Sequence, residues 1–165
     1  MRGEVWLSGD RYAIDVPGMR EKSWGAGSAS IPTLRRRLWI RFGADGALFV
    51  DRRVADGTDV HTGWLLAGGR SNAIEHIELH TENEPESSFH KSMRLVVTDD
   101  AGRSHAIEGE VIHLTPLPIA RGSLRALVCD SVVRFRWEER EGHGMAEYVH
   151  LLDARGEPVV PAADA

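Results

Sequence analysis

The chain has 165 residues, with 20 Lys and Arg against 25 Asp and Glu and a formal charge of -5. That length fits one domain able to bury roughly two-thirds of its unfolded surface, so no covalent staple is needed. The acidic balance excludes the basic footprint of a nucleic-acid or anionic-membrane surface, and the single cysteine, Cys129, excludes an intramolecular disulfide and a cysteine-based zinc site.

The N-terminus has no apolar signal-peptide core, and no stretch approaches the length of a membrane span. These features predict a soluble, cytoplasmic protein. Val5 and Leu7 alternate with Trp6, Ser8-Gly9-Asp10 turns, and Tyr12, Ile14 and Val16 alternate again. Pro17 to Gly27 then interrupts the pattern with three glycines, a proline, Trp24 and the adjacent charges Arg20, Glu21 and Lys22. Glycine permits close backbone approach, and an indole offers an apolar body with one polar handle. The stretch reads as a bend that carries charge close to an apolar wall.

Strand-like runs follow. Leu38, Ile40 and Phe42 share one face, and Arg37, Trp39 and Arg41 share the other. The consecutive Arg35, Arg36 and Arg37 therefore point to alternating faces and make no single basic groove. Asp45-Gly46, Asp56-Gly57 and Gly68-Gly69 are turn signals, with alternating segments between them. Ile74 to Thr81 alternates, and Glu82 to Ser88 is a polar loop. Phe89, Lys91, Met93, Leu95 and Val97 are expected on one face, and Asp99 to Gly102 turns into His105 to Leu114. Pro116 and Pro118 are expected to end that strand, because proline cannot donate to a ladder. Leu124 to Val128, Val132 to Glu139 and Met145 to Leu152 complete the set, and the tail from residue 154 to 165 is expected to fray.

About ten short strands with regular turn signals and no helical period predict an all-β fold, a sandwich or a closed barrel. The linkers are too short for crossovers, so the strands are antiparallel. No repeat or low-complexity linker divides the chain, and residues 1-153 are read as one domain.

Gly18-Met19-Arg20-Glu21-Lys22-Ser23-Trp24-Gly25 resembles a motif of the AttH-like and carotenoid-hydratase (hydroxyneurosporene synthase) proteins, a Gly-x-Arg-Asp-His-Ser-Trp-Gly type sequence. Glu21 stands where Asp is usual, and Lys22 where His is usual. Leu38-Trp39-Ile40-Arg41-Phe42 with the Asp45-Gly46 turn resembles the following hairpin. Gly142-His143-Gly144-Met145-Ala146-Glu147-Tyr148 resembles the closing Gly-x-Gly-x-x-Glu-Tyr strand. The resemblance implies a lipocalin-like (calycin) antiparallel β-barrel of about 8-10 strands. It covers only the C-terminal barrel of two-barrel relatives, so a partner barrel or a second copy in a homodimer is implied. It also implies chemistry on greasy substrates without redox cofactors.

A barrel of about eight strands either fills with side chains or holds one small ligand. Trp24, Trp39, Trp64, Tyr148 and His143 are the expected ligand-binding residues, the aromatics as walls able to stabilise a developing cation. Glu21 and Glu147 are the expected catalytic acids, because a carboxyl held beside an aromatic ring in a poorly solvated site has a raised pKa. His76, Glu78 and His80 share one face of a strand and form a credible metal set, but an ordinary polar outer face has the same pattern. No metal and no cofactor are adopted. The leading expectation is a barrel cavity that binds a hydrophobic small molecule, as a cofactor-free cyclase, hydratase or isomerase of an isoprenoid or polyketide-like substrate. The alternative is a non-catalytic binding or structural barrel, half of a larger assembly.

Overall fold

Ten strands alternate with tight turns in a computed structural model that describes residues 2-16, 18-22 and 32-160. Strands β1 (Arg2–Leu7) and β2 (Asp10–Asp15) form a separate two-stranded hairpin. The remaining eight are β3 (Leu34–Arg41), β4 (Gly46–Ala55), β5 (Thr58–Ala67), β6 (Arg70–Asn83), β7 (His90–Asp99), β8 (Ser104–Arg121), β9 (Leu124–Trp137) and β10 (Arg140–Leu152). Each pairs antiparallel with its sequence neighbour, and β10 closes on β3 to complete a barrel. The all-β, lipocalin-like expectation is borne out.

Period-two alternation decides what fills the barrel. On β3, Leu34, Arg36, Leu38 and Ile40 are buried, while Arg35, Trp39 and Arg41 between them are only half-buried on the outer wall. The lumen is packed by Leu48, Leu65, Leu95, Ile107 and Phe135. One end is plugged by Trp137, whose ring meets the edge of Phe42 at 5.5 Å and lies 4.9 Å from the Arg140 guanidinium. At that end Asp99 fixes the β7–β8 turn. Its carboxylate accepts from the backbone N–H groups of Ala101 and Arg103 and pairs with the Arg103 guanidinium at 2.7 Å. Hydrogen bonding from Arg103 holds the Asp99 carboxyl far below its ordinary range despite its burial.

Leu124 to Val128 and Val132 to Glu139, expected as two strands, are joined in one, β9, and two further local expectations change. The strand holding Pro116 and Pro118 does not end there: β8 runs on to Arg121, with Pro116 opposite Cys129 and Pro118 opposite Leu127. The pairing of β8 with β7 stops at Glu110, so beyond it β8 is an edge strand bonded only to β9. A proline there gives up no ladder bond. On β7, Phe89 and Lys91 do not share the face of Met93. The register slips between Glu82 and Asn83, so that Asn83 faces His90 and the extra residue sits in a bulge. His90 turns inward in place of Phe89 and Lys91.

Closure of β10 on β3 depends on two glycines. A Cβ at Gly142 would run into the carbonyl oxygen of Arg41, and one at Gly144 into that of Trp39, with the Cα of Ile40 at 2.9 Å. The Gly-x-Gly pattern therefore marks a seam where two backbones approach too closely for any side chain. Gly144→Ala is expected to lower stability by about 1–3 kcal/mol through overpacking. Gly3→Ala, where nothing lies within 4 Å of the added carbon, stays within about 0.5 kcal/mol. Urea unfolding of both variants checks the contrast.

Candidate functional site

The outer wall is built in rows, each contributed by residues opposite one another in register. One row runs Val132, Met145, Trp39, Phe49 and Trp64 across β9, β10, β3, β4 and β5. Trp39 and Phe49 have ring centroids 5.9 Å apart, and Phe49 and Trp64 are 6.5 Å apart. These cross-strand aromatic pairs make a continuous apolar tray. Met145 is 48% exposed and Trp64 36% exposed, unusual for large apolar groups. The Gly18–Glu21 segment lies over the tray. Together with Trp39, Phe49, Trp64 and Arg41 it encloses a hollow of about 350 Å³.

The next row along is charged: Asp130, Glu147, Arg37 and Asp51. Arg37 is its centre. Its guanidinium lies 3.7 Å from Glu21, 3.8 Å from Glu147 and 3.8 Å from Asp51, and 5.1 Å from the centre of the Trp39 ring. Asp51 is held by Arg35 in a two-pronged pair at 2.8 and 2.6 Å. Burial pushes the Glu147 carboxyl up; Arg35 opposes this, and Asp130, Asp51 and Glu21 reinforce it. Crowding by carboxylates thus adds to burial in raising the Glu147 pKa.

Each expected site residue can now be located. Glu21, Trp39 and Trp64 come together at the outer hollow, and Glu147 sits at its edge, joined to Glu21 through Arg37. All four lie on the outside of the barrel, not in its lumen: Trp39, Trp64 and Glu147 occupy the outward phase of their strands, and Glu21 lies in the segment over the tray. His143 is exposed, opposite Arg41 in register. Tyr148 is inward and buried. Trp24 lies outside the described residues. His76, Glu78 and His80 face outward. His76 pairs with Glu78 at 3.6 Å and its ring lies 5.4 Å from that of His61, tilted to it, but no group of three ligands able to hold a metal forms among the described residues. A larger hollow of about 800 Å³ lies over β6 to β10. Its lining carries six glutamates against four arginines, with cross-strand ion pairs of Arg134 with Glu110 and Arg136 with Glu108.

A second polar cluster lies inside. Tyr148 carries the Arg36 guanidinium 4.1 Å from its ring centre, and His90 stacks on the same ring at 4.0 Å. The His90 Nε2 is 2.7 Å from Ser131 Oγ, which itself donates to the Ala146 carbonyl at 3.0 Å. His150 follows two residues after Tyr148 on the inward face. The Tyr148 hydroxyl is 3.0 Å from Thr81 Oγ1. Sequence reasoning did not assign Arg36, His90 or Ser131. The available signal was a lone charge in the apolar phase Leu34, Arg36, Leu38, Ile40.

The fold and these sites define a closed, eight-stranded, lipocalin-like barrel with an aromatic outer hollow and a polar luminal cluster. The chain belongs to the DUF7064 family, a domain of unknown function whose model matches residues 1–151. A comparison with curated proteins finds no match. Among solved structures it resembles kievitone hydratase from Nectria haematococca, at 12% identity and a TM-score of 0.57, covering 90% of this chain and 49% of that one. That likeness shows a distant fold relation, and the chain spans about half the length of the hydratase. No helix among the described residues is long and apolar enough to cross a membrane.

Burial lowers the His90 pKa to about 3 and the His150 pKa to about 4, from 6.5, with Arg36 adding to both shifts. The unfolded chain therefore binds protons on these imidazoles below pH 6.5 while the folded chain does not. Stability is present in full above that pH and is lost as the pH falls toward 4, by up to about 1.4 kcal/mol per pH unit for each histidine. Urea midpoints across this range, compared with the His90→Gln and His150→Gln variants, should show the slope reduced in each.

Proposed function

We propose that the outer hollow binds a hydrophobic small molecule and performs acid–base chemistry on it. The observation that carries this reading is the meeting of an aromatic tray, Trp39, Phe49 and Trp64, with Glu147, whose carboxyl is pushed up by burial, and with Glu21 across Arg37. The hollow of about 350 Å³ lies within the usual range for small-ligand sites. An apolar body on the tray would bring a double bond to the edge where Glu147 stands. Transfer of the Glu147 proton to one alkene carbon leaves a cation on the other, faced by indole and phenyl rings. Water then adds to the cation and releases its proton to Glu21, or a neighbouring carbon loses a proton to give a cyclised or isomerised product. The reaction needs no cofactor. A fold shared with a hydratase, and the sequence resemblance to the carotenoid-hydratase group, favour an isoprenoid or polyketide-like substrate.

The alternative, a non-catalytic barrel that is half of a larger assembly, is favoured by a different observation. Every residue of β1 and all but one of β2 are exposed, with Trp6 at 64%. A two-stranded hairpin alone is marginal in water. A second barrel, or a second copy of this chain, would cover it.

Incubation with a prenylated phenol, followed by mass spectrometry for gain of one water or for an isomer of unchanged mass, tests the enzyme reading. Glu147→Gln is expected to lower turnover by about 10²–10⁴-fold, and Trp39→Ala to weaken binding, seen as loss of tryptophan quenching. A protein that neither binds nor converts the phenol, and that runs as a stable dimer in native mass spectrometry, would support the structural reading instead.

A further inference from the structure

We propose that Arg36 forms a second binding site, inside the barrel, for the carboxylate of a small organic acid. The site is separate from the outer hollow and from the chemistry assigned there.

Arg36 is 1% exposed, on the inward phase of β3 between Leu34 and Leu38. Its Nη1 donates to the carbonyl oxygens of Arg35 at 3.0 Å and Val149 at 3.4 Å. Its Nε and Nη2 are buried and have no hydrogen-bond partner among the described residues. The Nη1 bonds and the Tyr148 ring, 4.1 Å from the guanidinium carbon, fix the plane of the group, so these two nitrogens form a preset fork. The neighbouring residue shows what such a fork holds. Arg35 uses the same two nitrogens, Nε and Nη2, to grip both oxygens of Asp51 at 2.8 and 2.6 Å. On the inward phase, Arg36 has no carboxylate of the described residues on that pair. A buried, unpaired charge is costly, and a bidentate carboxylate is the partner whose geometry matches.

Charge balance selects the class of ligand. No acidic side chain lies within 4 Å of Arg36 among the described residues, and the other inward arginine, Arg52, is already paired with Asp59 at 2.9 Å. Arg36 stays charged near neutrality, its pKa lowered by burial only to about 10. The two histidines beside it are neutral there. One uncompensated positive charge calls for a monoanion, whereas a phosphate dianion would leave a buried negative charge behind. The surrounding groups fit an organic acid. Both ring nitrogens of His150 are buried and without partners among the described residues, so a neutral imidazole there offers one further donor. Ser131 spends its proton on the Ala146 carbonyl, so His90 donates from Nε2 and keeps a bare Nδ1 able to accept from a hydroxyl on the ligand.

The β5–β6 ladder is interrupted near this cluster. β5 and β6 pair only where Trp64 to Ala67 meets Arg70 to Ala73. Further along, the Ile77 N–H turns to the His61 ring, at 3.2 Å from Nδ1. His61 lies opposite Arg52, and Arg52 opposite Arg36, so the split in the ladder is two strands from the guanidinium.

The test is a titration of the full chain, labelled with ¹⁵N at arginine, with benzoate, benzyl alcohol and inorganic phosphate in turn. A saturable shift of the Arg36 Nε–H resonance is expected with benzoate, and none with the neutral alcohol or with phosphate. Arg36→Lys, which keeps the charge and loses the fork, should weaken benzoate binding about 10-fold or more. Glu147→Gln should leave it unchanged, which separates this site from the outer hollow. No shift with benzoate, an equal shift with phosphate, or undiminished binding by Arg36→Lys would each overturn the proposal. Because the titration reads the wild-type chain, a variant that fails to fold does not remove the test.

Discussion

The pairing of β10 with β3 is the constraint on which the rest depends. These strands lie about a hundred residues apart in sequence, and no turn sets their register. What sets it is close approach at Gly142 and Gly144, where only glycine fits. Once those two positions are seated against Arg41 and Ile40, every later residue of β10 has its partner fixed. Glu147 falls opposite Arg37 on the outer wall, and Tyr148 opposite Arg36 in the lumen. A one-residue slip would exchange the two faces. It would put Glu147 inside without its arginine and expose the Tyr148 ring.

Both polar sites therefore come from one seam and are separated by one sheet thickness. Their electrostatics differ for a simple reason. Outside, Arg35 and Arg37 face Asp51, Glu147 and Glu21, so negative groups outnumber positive ones, and with burial this pushes the Glu147 carboxyl up. Inside, Arg36 faces neutral histidines and a phenol, with no carboxylate paired to it among the described residues. Three consecutive arginines thus serve opposite needs purely through the alternation of a strand.

The strands, the turns and the alternation of β3 were legible in the sequence because they are local. Asp56-Gly57 and Gly68-Gly69 take positive φ, as their turns require, and the resemblance of the closing Gly-x-Gly-x-x-Glu-Tyr segment pointed to the barrel. The extent of β8 was not legible. Whether a proline ends a strand depends on which of its edges is paired, and that is settled by where β7 stops. The bulge that turns His90 inward is likewise a property of the β6–β7 pair, not of either run. The aromatic and acidic residues of the outer hollow were expected to line a barrel cavity, and the structure places them on the outer wall instead. A tryptophan in a strand is as consistent with the lumen as with an outer tray. The link from Glu21 to Glu147 passes through Arg37, and only the closed register brings them together.

The luminal cluster is hard to explain as a stabilising device. A buried ion left without its partner costs more than well-packed apolar groups of the same volume. The inward phase of β3 is otherwise Leu34, Leu38 and Ile40, so a leucine at position 36 would continue the pattern at no evident cost. The chain instead places there its most hydrated type of side chain. It ties back one nitrogen, stacks the plane on Tyr148 and leaves the other two pointing inward. It also holds two imidazoles in a place that makes the fold sensitive to acid. Sequences that depart from local consistency at a loss of stability do so most often where something must be bound or moved. On the outer wall the same arginine fork closes on a carboxylate supplied by the chain itself. In the lumen the donors are kept and no described residue supplies the carboxylate, and that asymmetry is what assigns the interior a ligand.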